Sequence, residues 1–189
     1  FVEPARLGLG EKLGVLVFQI SPLPGSLLSR MPEQIARLDA LLRAIPGLSS
    51  DAPDAVVAVE VRDPQWLTPA FAATLADNGA TYCLGLHAKM PTVAEQLPVL
   101  RALWPGPLVC RWNLNARHGA YGYAQAKQQY RPFNRLVDPD PDTRLALAKV
   151  IAGTVGAGHN AWVSLGNKAE GSAPLSAVAL ANSVRELLG

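Results

Sequence analysis

Five short apolar runs, each followed by a stretch with helical spacing, limit what this chain can fold into. The runs are Gly14–Ile20, Ala55–Arg62, Ala80–Leu86, Pro107–Trp112 and Ala161–Leu165. Strands this continuously apolar are covered on both faces, the pattern of a parallel sheet flanked by helices. Between them, Ile35, Leu38, Leu41, Leu42 and Ile45 recur at helical spacing and predict a helix over 33–44, stopped by Pro46-Gly47. The same reading predicts helices over 68–76 (ending at Asn78-Gly79), 93–103, 123–130, 141–155 and 174–188.

Two architectures satisfy this alternation. An open doubly-wound sheet usually carries a Gly-rich turn after its first strand. Here Gly8-Leu9-Gly10 precedes the first run, which discounts a dinucleotide site. A barrel gathers polar residues at the C-terminal ends of its strands, because its functional face is built there. Gln19 and Ser21, then Glu60, Arg62 and Asp63, then Arg111 and Asn113, then Asn167, Lys168 and Glu170 follow that rule; only the run leading to His87 is sparse. The expectation is therefore α/β, a (β/α)8 TIM-like barrel in which residues 1–189 form a single domain of about five β/α units, strands four to eight.

Composition narrows the class further. With 49% hydrophobic residues the 189-residue chain can bury a sizeable core. Charged residues are 17%, against roughly 25% in an average soluble domain. The net charge of +2 comes from cations scattered singly, which argues against a nucleic-acid surface. Cys83 and Cys110 each lie in an apolar run and read as buried free thiols of a reducing compartment, so a cytoplasmic protein is expected. No apolar stretch reaches the roughly 18 residues of a membrane span. No signal peptide opens the chain, and its first residue is Phe rather than Met, so it is expected to start inside a longer gene product.

At the strand ends the chain resembles the YecE-like family, the seventy-second of the domains of unknown function. The segments that carry the resemblance are Glu11–Gln19, Val59-Glu-Val-Arg-Asp-Pro-Gln-Trp66, Arg111–Leu114, Tyr130-Arg-Pro-Phe133 and Asn167-Lys-Ala-Glu-Gly-Ser-Ala-Pro-Leu175. The resemblance implies a TIM-like fold whose first three strands lie outside this sequence. It implies no activity.

Glu60 and Arg62 stand two apart in a strand and so share one side of the sheet. An ion pair closing the interior and a ligand contact are both compatible with that placement. As ligand contacts, Arg62 would hold an anion and Glu60 would move a proton. Arg111 and Asn113 repeat the geometry, and Gln19 ends the first strand. The Asn167–Gly171 loop precedes a helix with Pro174 in its first turn. Such a helix start binds phosphate readily, with Lys168 adding charge and Gly171 permitting close approach. Glu170 is the second candidate for proton transfer; it can equally act on a helix dipole, with Asn167 bonding loop backbone. The tyrosines and Arg131 of the long segment 115–142 can pack it down or clamp a ligand.

His87, His118 and His159 lack metal-site spacing, and neither a metal nor a cofactor is expected. The function these features suggest is acid/base chemistry on a small anionic, hydroxyl-bearing molecule. The alternative is a non-catalytic module for phosphate-bearing ligands or nucleic acid. The open edges at Val15–Ile20 and Ala161–Leu165 are expected to be covered by the N-terminal remainder of the barrel or by another chain.

Overall fold

In a computed structural model of the chain, residues 1–48 and 52–189 are described. All five apolar runs are strands: β1 (Val15–Gln19), β2 (Val56–Glu60), β3 (Thr81–Leu86), β4 (Leu108–Trp112) and β5 (Ala161–Leu165). The helices are α1 (Val2–Leu9), α2 (Gly25–Leu28), α3 (Met31–Arg43), α4 (Pro69–Asp77), α5 (Val93–Ala102), α6 (Tyr123–Tyr130), α7 (Pro141–Gly156), α8 (Asn167–Glu170) and α9 (Ala173–Leu188). Their residues fall into two compact units, Phe1–Cys83 with Val99–Trp104, and Leu84–Pro98 with Pro105–Gly189.

In the first unit β1 pairs in parallel with β2, in a register that sets Gln19 against Glu60, and β2 pairs in parallel with the start of β3. Every residue of β3 is buried, whereas β1 keeps only Leu16 fully covered. Under the sheet, Trp66, Phe71 and Tyr82 form an edge-to-face stack with centroids 5.8 and 5.9 Å apart. That geometry adds about 0.5–1.5 kcal/mol per ring pair beyond the buried area. Helix α4 starts where Thr68 accepts from the Phe71 N–H (3.2 Å) and Pro69 occupies the first turn.

In the second unit β4 and β5 are parallel, with Arg111 opposite Ser164, and the Asn113 N–H donates to Leu86 at the end of β3 (3.2 Å). Helices α7 and α9 pack on each other. Helix α7 begins with Asp140 accepting from the Thr143 N–H (3.0 Å) and Pro141 in its first turn. Thr92 and Glu95 form a reciprocal capping box at the start of α5. The Thr92 hydroxyl and N–H hold the Glu95 carboxyl below its ordinary range. Cys83 and Cys110 are both buried, and neither is in a disulfide bond. No helix among the described residues is long and apolar enough to cross a membrane.

Three helices depart from the sequence reading, one of them the short α2 (Gly25–Leu28), where no element was expected. Helix α1 was not expected, because none of its residues is buried and Gly8 and Gly10 obscure its pattern. The segment after β5, read as a loop, makes the single turn α8 before α9 starts.

Candidate functional site

The parallel register of β1 and β2 brings three of the expected residues together at their C-terminal ends. Arg62 Nη2 lies 2.6 Å from Glu60 Oε1 and donates to Gln19 Oε1 at 3.1 Å. Glu60 is wholly buried and Arg62 is 9% exposed, while Gln19 is open to solvent. Arg62 Nε is also buried, and it has no hydrogen-bond partner among the described residues. Asp63 accepts from the Leu23 N–H (2.8 Å), which ties the segment after β1 to the turn after β2. The result is a guanidinium held in place by a buried carboxylate beside an exposed amide. Removing one member of such a buried pair costs about 3–5 kcal/mol.

In the second unit the segment after β5 is committed largely to the protein's own backbone. The Asn167 side chain accepts from the Ala173 N–H (2.8 Å), and Pro174 has no N–H to give. Gly171 has φ 124°, and a Cβ there would lie 2.5 Å from the Arg135 carbonyl oxygen. The close approach that Gly171 permits is therefore made by residues 135–137. Glu170 is wholly buried, and it serves a different helix from the one that follows it in sequence. Its Oε1 accepts from the Asp140 N–H (2.8 Å) and from the Arg144 guanidinium, at the start of α7. Its own carbonyl accepts from the Val137 and Asp138 N–H groups (2.8 and 3.0 Å).

Lys168 lies over the Tyr123 ring at 5.7 Å, and the same ring lies 5.7 Å from His87. These three half-buried groups come from the segments after β3 and β5 and from α6. Arg111 and Asn113 are also half-buried, Arg111 within β4 and Asn113 just beyond it.

The long segment packs down through Tyr130 and leaves Tyr121 and Arg131 exposed. Tyr130 is buried with Leu114 and Ala126, and its hydroxyl lies 2.6 Å from His118 Nε2. Asp138 pairs with Arg117 and accepts from Gln129 (3.1 Å). Burial, then the hydrogen bond to Asp138, raises the Tyr130 phenol above its ordinary value. Tyr121, by contrast, is 87% exposed and carries Lys89 over its ring. Arg131 is exposed.

Sequence reasoning missed a cleft of about 250 Å³ beyond the ends of β3 and β4, bordered by Leu86, His87, Trp112 and the first turn of α7. A signal was present in Thr92-Val-Ala-Glu95 and in Asp140-Pro-Asp142, which mark helix starts following strand ends.

The family described as a protein of unknown function, DUF72, matches residues 1–188. No curated protein matches the chain at a significant level. A crystal structure of a DUF72 family protein from Enterococcus faecalis V583 superposes with a TM-score of 0.58 at 15% identity, over 93% of this chain. The chain spans 60% of that protein's length. At this identity the likeness shows a shared fold. With the family match covering almost every residue, the chain belongs to the DUF72 family.

Proposed function

We propose that this chain supplies strands four to eight of a TIM-like barrel, and that the barrel binds a small anionic, hydroxyl-bearing molecule at the C-terminal ends of its strands. The observation that carries the reading is the Gln19–Arg62–Glu60 cluster. A guanidinium oriented by a buried carboxylate needs little reorganisation to receive a phosphate or carboxylate. The Arg62 Nη2 end, bonded to the exposed Gln19 amide, is where such a group would meet the guanidinium, while Nε is buried with no hydrogen-bond partner among the described residues. Parallel α/β proteins bind ligands at this end of the strands.

Of the two carboxylates, Glu60 is the candidate for proton transfer to or from a substrate hydroxyl. Glu170 acts as a positioning residue, since Asp140 and Arg144 occupy its Oε1. Lys168, half-buried over Tyr123, adds positive charge at the strand ends of its own unit, together with Arg111. Asn113 offers an amide there, while Asn167 and Gly171 shape the backbone.

The test compares glycerol 3-phosphate with glycerol by thermal shift, on the native chain and on Arg62→Gln. A shift with the phosphate ester alone, lost in Arg62→Gln, supports the reading. Equal responses to the two probes, or a shift that survives Arg62→Gln, contradicts it.

A further inference from the structure

The cleft beyond β3 and β4 lies within the second unit, and it offers different chemistry from the Arg62 cluster. Its volume of about 250 Å³ sits just under the roughly 300 Å³ at which small-molecule pockets begin, so a compact ligand fits. Leu86, Met90, Trp112 and Leu114 are among the apolar residues of its wall.

The residues that line it include Asp140, Asp142 and His87 and neither Lys nor Arg. Asp140 already caps α7 through the Thr143 N–H, and Asp142 lies in the first turn. The helix N-terminus, which otherwise favours an anion, is thus answered by the protein's own carboxylates. Asp142 is exposed, so its charge faces an incoming ligand without being buried first.

Both sides of the cleft are held in place. On one side Gln96, wholly buried, donates to the Gly85 and Pro91 carbonyls (3.0 and 2.6 Å), which fixes the 87–92 turn. On the other, Glu170 holds the Asp140 N–H and Arg144, which fixes the start of α7. A pocket held this way loses little entropy when filled.

From these observations we infer that the cleft is a second binding site, for a compact apolar molecule bearing an amine. The apolar body lies against Trp112, Leu86 and Met90, and the ammonium group faces Asp140 and Asp142. The site is independent of the anion site at Arg62.

The test uses three probes with one aromatic body: phenethylamine, 2-phenylethanol and 3-phenylpropionate. Each is titrated into the full chain and followed by the amide resonances of Leu86, Ala116 and Ala146. Phenethylamine is expected to bind most tightly and 3-phenylpropionate least. Asp142→Asn should weaken phenethylamine by about fivefold, the size of one partly screened charge contact, and leave 2-phenylethanol unchanged. Ala146→Phe, which fills the cleft from α7, should abolish binding of all three. If that variant does not fold, the exposed Asp142→Asn change decides the matter alone. Equal affinity for the three probes, a preference for the carboxylate, an unaltered response in Asp142→Asn, or binding that persists in a folded Ala146→Phe overturns the inference.

Discussion

The Glu170 carboxylate accepts a hydrogen bond from the Asp140 N–H at 2.8 Å, joining the residue that ends α8 to the one that caps α7. Through it the segment after the last strand holds the start of the helix before that strand. Arg144, one turn into α7, completes the contact. Replacing Glu170 by Ala leaves the Asp140 N–H and the guanidinium without their acceptor, and should destabilise the chain by about 3–5 kcal/mol. Glu170→Gln keeps an oxygen in place and should cost less. Urea denaturation of the two variants measures the difference; equal stability of Glu170→Ala and the native chain would show that this contact contributes nothing.

Gly171 is fixed by space as well as by backbone conformation. Its φ is 124°, and a side chain's first carbon would come within 2.5 Å of the Arg135 carbonyl oxygen, which leaves no room for one. Gly171→Ala should destabilise by about 1–3 kcal/mol, the usual range for overpacking against a rigid neighbour. Gly158→Ala is a useful control, because Gly158 has φ 80° but nothing within 4 Å of where a Cβ would stand. Thermal denaturation should rank Gly171→Ala as the less stable of the two.

Alkaline pH should weaken the segment that Tyr130 pins. Its phenol is raised above the ordinary 10.0 by burial and by Asp138. A group with a raised folded-state value stabilises fully below its unfolded value, and that contribution is lost as pH climbs through the folded value. Stability should therefore fall above about pH 10. In Tyr130→Phe that part of the decline should vanish. An identical alkaline slope in the two proteins would contradict the assignment.

Much of the fold was legible because burial is written into local patterns. Helix α6 and strand β5 match the sequence reading residue for residue, since their apolar spacing and flanking turn residues agree. Pro141 and Ala173 open α7 and α9 close to where capping chemistry places them. The Glu60–Arg62 contact was also expected, although Arg62 lies two residues past the end of β2 and not within it. The partners of Glu170 were not, for they lie 26 and 30 residues earlier, on a segment with no periodicity of its own. The closing of the Gly171 turn by Arg135 and Val137 was hidden for the same reason. Local spacing encodes elements; the contacts that decide which polar groups stay open arise from packing between distant segments.

The Arg62 Nε–H resonance, followed while glycerol 3-phosphate is added, tests the anion site most directly. In the native chain this donor is buried beside Glu60 and has no hydrogen-bond partner among the described residues. A saturable shift of that resonance, with no response to glycerol, is the expected result. A resonance that stays unmoved while the phosphate ester binds elsewhere, or an absence of saturable binding, would contradict the anion site at the end of β2.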